Sequence, residues 1–191
     1  MRVLKNIASQ LHIYLLWLFL AALLWGWIFT FVTDTRPVKK VTVFVEAPAC
    51  RDRDLAVELE KTMPEGIRMI KVHPFTYAMF DESTLLGADI YIVSASQAEA
   101  YRDSFVPADG LPLTEGRVTD ALGGIRIYDA AAGTGGADGY ITYAVPGATG
   151  EDYYLFFGVN SVHVSALNGT GDDAAIAVAE RLLDLNEEEK P

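Results

Sequence analysis

Cysteine is almost missing from this chain, histidine and positive charge are scarce, and each shortage removes a class of function. The single cysteine, Cys50, rules out an intrachain disulfide, so the fold is not a stapled secreted scaffold. Beside a helix start, a lone thiol of this kind is read as inert. The three histidines, His12, His73 and His163, stand far apart, and none belongs to an HExxH or a Cys/His ligand array, so no metal site is expected. No serine lies in a G-x-S-x-G elbow, and no P-loop lysine follows a glycine-rich turn. The chain has 15 basic against 26 acidic residues; beyond Lys40 the counts are 10 and 25, a formal charge of about −15. Such a surface repels nucleic acid and anionic headgroups, and no nucleic-acid partner is expected. No internal repeat is present.

What the chain does have is a long apolar run. No Lys, Arg, Asp or Glu lies between Lys5 and Asp34, and Ile13 to Val32 is apolar almost throughout. About 20 helical residues at ~1.5 Å each cover the ~30 Å hydrocarbon core, so a transmembrane helix is expected over 13–32. A cleaved signal peptide would have a shorter apolar core and a small-x-small cleavage site, whereas this run ends in the bulky Phe29-Thr30-Phe31-Val32-Thr33. Tyr14 and Trp17 near one end, with Trp25 and Trp27 nearer the other, approximate the interfacial aromatic belts. The expected division is a tail over 1–12, the span, a connector over 33–40, one α/β domain over 41–185 and an acidic tail over 186–191. Arg2 and Lys5 flank one end of the span, and Arg36, Lys39 and Lys40 the other, so basic residues alone do not set the orientation.

Beyond the connector the pattern alternates. Val41-Thr42-Val43-Phe44-Val45 reads as a buried strand; a helix from Arg53 to Met63, capped by Asp52, follows, with Leu55, Leu59 and Met63 on one stripe. Ile67 to Val72 and Ala88 to Val93 are the next strands, and Gln97 to Phe105 a short helix. Strands alternating with helices imply βαβ units and a parallel sheet with right-handed crossovers. The pattern then changes: Gly124 to Tyr128, Gly139 to Ala144 and Tyr153 to Val159 are strand-like runs between glycine-rich connectors, read as hairpins continuing through Ser161 to Leu167. There His163 is read as a strand's outward residue. The run Gly133 to Gly139 departs from G-x-G-x-x-G at Asp138 and reads as a hairpin tip. Asp172 or Thr170 caps a last helix to about Leu185, burying Ile176, Ala179 and Leu183. The fold class is thus α/β: an N-terminal transmembrane helix, then one domain with a parallel βαβ half and an antiparallel hairpin half.

The strand–helix–strand order, followed by Gly87-Ala88-Asp89-Ile90-Tyr91-Ile92-Val93-Ser94, a short helix and Phe105-Val106-Pro107, resembles the first lobe of type 2 extracellular solute-binding proteins over roughly residues 41–110. In that family the ligand lies between two α/β lobes, against loops at the carboxyl ends of the parallel strands. The resemblance implies a cytoplasmic N-terminus and an extracytoplasmic domain at the cell membrane. About 145 residues follow the anchor, the size of one lobe rather than two, so a single lobe cannot enclose its ligand.

Physical chemistry places a site at the same strand ends. Those ends carry His73, Phe75 and Tyr77, then Ser94, Ser96 and Gln97, a mixture of hydroxyls, aromatic faces and an imidazole that suits a small, neutral polar ligand or a peptide. The structural alternative is that Phe75 and Tyr77 cover the core while the serines cap the next helix. Tyr140, Tyr143, Tyr153 and Tyr154 either pair across strands or form an outward aromatic patch for a partner. The expected function is a single-pass membrane protein with an extracytoplasmic binding or interaction module, neither catalysis nor a cofactor being expected. The rivals are an accessory subunit docking on a membrane complex, and a hydrolase using His73.

Overall fold

The strand Lys40–Val45 (β1) sets the plan, because its side chains alternate between two different surroundings. Val41, Val43 and Val45 are fully buried on one face of a sheet, while Lys40, Thr42 and Phe44 project from the other. This computed structural model describes residues 2–33, 36–74, 87–108, 111–115, 117, 119–147, 150–169 and 172–185. The chain divides into two compact units, Met1–Arg36 and Pro37–Pro191.

The first unit is one helix, α1 (Arg2–Thr33). Its described side chains, Leu11 and Ile13–Ile28, are exposed and almost all apolar, including Trp17, Trp25 and Trp27. Among the described residues, however, no helix is long and apolar enough to cross a membrane. The structure therefore supplies a helix where one was expected but not the transmembrane span.

The second unit is a mixed α/β domain. After β1 come β2 (Ala49–Cys50), α2 (Asp52–Glu60), β3 (Met69–Pro74), β4 (Ile90–Ser94) and α3 (Ala95–Ala98), which continues as a 3₁₀ turn over Glu99–Ser104. Then follow β5 (Phe105–Val106), β6 (Ile125–Asp129), β7 (Thr134–Gly135), β8 (Ile141–Thr142) and β9 (Tyr153–Gly158). Two helices, α4 (Ser165–Asn168) and α5 (Ala174–Asp184), close the described chain. The sheet order is β3-β1-β4-β9-β6-β7, with β5 also on β9. β1 runs parallel to β3 and β4, while β9 is antiparallel to β4 and β6.

Period-two alternation splits the apolar residues into two cores. Val41, Val43, Val45, Ile70, Val72, Ile90, Ile92 and Leu155 pack under α2 and α5, whose Leu55, Leu59, Val178 and Leu182 supply the helical side. On the opposite face Tyr91, Val93, Phe105 and Phe156 form a second cluster, with Phe44 and Tyr154 at its margin. Phe105 and Phe156 stack there at 4.4 Å. At the end of β9, Gly158 passes so close to the chain before β4 that a Cβ would collide with the Ala88 carbonyl oxygen.

Several expectations are corrected. Residues 139–144 do not form a hairpin with their neighbours: β8 pairs antiparallel with β2, a ribbon apart from the main sheet. Ser161–Leu167 does not extend the sheet, and His163 is fully buried instead of facing outward. Asp52 does not cap α2; Arg51 occupies the cap position, with Asp52 and Asp54 in the first turn, where carboxylates complement the helix dipole. The hairpin tip lies just before the expected run, at residues 130–133, and Gly133–Gly139 supplies its return strand, β6 pairing with β7 through Tyr128–Gly135 and Asp129–Thr134. The expected tail over 186–191 lies outside the described residues.

Candidate functional site

The carboxyl ends of the parallel strands are occupied by a helix start. Ser94 ends β4 and opens α3, and its backbone N–H donates to the Glu46 carboxylate at 2.7 Å. Ser96 donates to Glu151 through its N–H at 3.1 Å and through its hydroxyl at 3.2 Å. Two carboxylates from outside the helix thus answer its first free N–H groups. Ser94 is buried, Ser96 exposed and Gln97 half-buried. Phe75 and Tyr77 lie outside the described residues.

His73 does not join this group, for two geometric reasons. β3 and β4 are not adjacent, because β1 lies between them. Moreover, Ser94 is in phase with the buried Ile90 and Ile92, whereas His73 pairs with Phe44 and lies on the opposite face. One crevice therefore cannot present His73 with Ser94. The tyrosines form no outward patch either: Tyr143 and Tyr153 are buried, Tyr128 and Tyr143 stacking at 4.5 Å, while half-buried Tyr140 reaches Glu58 at 3.2 Å.

The cavity that is present opens on the face carrying His73, toward the amino ends of the strands, and measures about 340 Å³. β1 contributes Lys40, Thr42 and Phe44, and β3 contributes Lys71 and His73. Asp89, entering β4, and Asn160, following β9, complete its polar lining. The Phe44 and His73 rings lie 5.5 Å apart at 33°, giving one aromatic wall. Burial and the neighbouring Lys71 and Lys40 charges hold the His73 imidazole below its ordinary value, with Asp52 acting weakly the other way. Among the described residues no group hydrogen-bonds the His73 ring, so it lacks the oriented partner that acid–base catalysis uses.

Beneath the cavity runs a chain of buried polar groups. Asp89 accepts the Thr42 N–H at 2.9 Å on one carboxylate oxygen and the Ser161 hydroxyl at 2.7 Å on the other. Burial raises its carboxyl above the usual range, partly offset by those two hydrogen bonds and by His163 and Lys40. His163 meets acceptors at both ring nitrogens: Asp172 at 2.9 Å from Nδ1, and the carbonyls of Pro37 and Lys40 at 3.0 and 3.1 Å from Nε2. Only an imidazolium donates from both nitrogens. Burial opposes that charge, but the Pro37 and Asp172 hydrogen bonds and the Asp89 and Asp172 charges outweigh it and raise the His163 value.

Sequence reasoning placed His73 at a site but missed Lys40, Lys71, Asp89 and Asn160. A signal was available in the phase of the residues: Lys71 and His73 alternate with Ile70 and Val72, as Lys40 and Thr42 do with Val41 and Val43. Among the described residues no group of three or more His, Cys, Asp or Glu side chains converges to hold a metal ion. Burial, then Asp52, pushes the Cys50 thiol up to about 11, in keeping with an unreactive group. Comparison with known proteins gives no matching family, no matching curated protein and no matching solved structure.

Proposed function

We propose that this protein is a membrane-tethered, non-enzymatic binding module, and that its ligand site is the sheet-face cavity between β1, β3 and the start of β4. The observation that carries this reading is the cavity itself. It is near the lower end of the size range for small-molecule sites, has an aromatic wall, and converges a few polar groups on one space. Among the described residues no hydrogen-bond partner orients the His73 ring, which argues against the hydrolase alternative. The tether rests on the sequence: the uncharged stretch between Lys5 and Asp34 suits a span, and the exposed tryptophans of α1 suit a bilayer surface. An extracytoplasmic domain with a cytoplasmic N-terminus follows from the likeness to one solute-binding lobe, which the parallel β3-β1-β4 order and the α2 crossover support.

The experiment is to extract the full chain in mild detergent, wash it, denature it, and identify the released small molecules by mass spectrometry. Val162→Trp, which places a large ring at the cavity rim, serves as the comparison. A compound released by the wild type and lost in a folded Val162→Trp supports the reading. Release of the same compounds from both overturns it, as does a hydrolytic activity that disappears with His73→Ala.

A further inference from the structure

Resting on the cavity reading above, we infer that the ligand is an anion carrying a compact dianionic group, a phosphate monoester in class, held between Lys40 and Lys71 with its apolar body against Phe44. Several cations in this acidic domain have a carboxylate partner. Arg51 meets Asp54, Lys61 meets Glu58, Arg102 meets Glu99, Arg117 meets Asp184, Arg126 meets Asp129 and Arg181 meets Glu58. Among the described residues, Lys40 and Lys71 are the half-buried basic side chains with no carboxylate partner.

Their placement sharpens the anomaly. Thr42 pairs with Lys71, so Lys40 lies diagonally across from Lys71 on the same face. Diagonal neighbours on adjacent strands are about 8 Å apart at the backbone, within the joint reach of two lysine side chains around one anionic group. The one carboxylate in the lining, Asp89, spends both oxygens on Thr42 and Ser161. What remains on offer is two ammonium groups, the Asn160 amide and the His73 imidazole, a set rich in donors. Lysine acts as a point charge toward phosphate, and two of them match a doubly charged group better than a single carboxylate.

The test uses the full chain in nanodiscs of phosphatidylcholine, with phenyl phosphate and inorganic phosphate titrated calorimetrically and benzyl alcohol as the neutral counterpart. Phenyl phosphate is expected to bind, to weaken with added salt, and to lose about tenfold or more in affinity in Lys40→Met and in Lys71→Met. Arg53→Gln, which removes one exposed positive charge elsewhere, should change it by less than twofold. The His73 ring faces Lys40, Lys71 and Asp52, so binding a dianion should move its NMR-detected titration upward. Nanodiscs containing phosphatidic acid form a second arm. If they alone shift His73, the phosphate belongs to a lipid headgroup; if soluble phenyl phosphate does so, the ligand is free; either supports the inference. If benzyl alcohol binds as well as phenyl phosphate and the lysine variants are indifferent, the anion inference falls while the cavity remains a binding site. If no probe moves His73 in either membrane, while the compound released by the wild type is still lost in Val162→Trp, the inference falls alone. Silence in both experiments removes both.

Discussion

Replacing His163 with alanine should destabilise the domain more than most core truncations, and in a pH-dependent way. The imidazole is fully buried and meets three acceptors, the half-buried Asp172 carboxylate and the carbonyls of Pro37 and Lys40. Each hydrogen bond to a charged group contributes about 1.5–3 kcal/mol, and breaking a buried charged pair costs about 3–5 kcal/mol. We therefore expect a loss of about 4 kcal/mol, a large part of the 5–15 kcal/mol typical of a domain's whole stability. For a domain of this size each kcal/mol moves Tm by about 2–4 °C, so the melt should fall by roughly 10 °C. The tryptophans Trp17, Trp25 and Trp27 all lie in α1, so tyrosine near-UV circular dichroism of the full chain in detergent is the clean probe of the domain.

The pH arm makes the argument specific. The folded His163 value is raised, so the proton-bound form is the one the fold favours. Its stabilisation is complete below the unfolded value of about 6.5 and is lost as pH rises through the higher folded value. Wild-type Tm should therefore decline over that alkaline window, and His163→Gln, which cannot carry the charge, should lack that part of the decline. Asp89 faces the same cluster, and because the His163 charge lowers its carboxyl value, removing that charge raises it further, so the two proteins are compared at pH values above the Asp89 titration. Equal pH slopes in the two proteins would refute the imidazolium assignment. A His163→Ala melt within about 2 °C of wild type would refute the energetic argument.

Other consequences can be checked more simply. Gly158→Ala drives a methyl group into the Ala88 carbonyl and should cost about 1–3 kcal/mol or more, seen as a lower urea midpoint. Leu182→Ala in α5 empties a fully buried site of the larger core and should cost about 2–5 kcal/mol in the same assay. Cys50, with its thiol pushed up to about 11, should alkylate about a hundredfold more slowly than an unperturbed thiol at pH 8, followed by intact mass. Labelling at a free-thiol rate would mean that the burial around β2 is wrong.

The sequence made the element types legible where a local pattern decides them. The alternation from Val41 to Val93 announced the parallel strands, and the stripe Leu55–Leu59 announced the face of α2. What stayed hidden depends on which strands are neighbours. β8 finds its partner in β2, some ninety residues earlier, and no local signal in Ile141-Thr142 names it. His163 sits between two valines in a run that reads as a strand edge, and only Pro37, Lys40 and Asp172, all distant or across a loop, give both its ring nitrogens a buried partner. The site was misplaced for a related reason. Ser94 and His73 both follow strands of the same sheet, but the count of residues along each strand sends them to opposite faces.

Lys40 is where the fold and the proposed site meet. Its carbonyl is fixed by His163, while its side chain stands at the cavity. Two residues on, the Thr42 N–H is fixed by Asp89 and its side chain lines the same space. The cavity wall formed by β1 is therefore held from behind by His163 and Asp89, through the Lys40 carbonyl and the Thr42 N–H. Such an arrangement lets a cluster of like charges persist in an empty site, because the backbone that carries them is over-determined by contacts elsewhere. Among the described residues, the two half-buried lysines without a carboxylate partner stand on this clamped strand, β1, and on its neighbour β3. A site built this way sets two neighbouring ammonium groups in place before its ligand arrives.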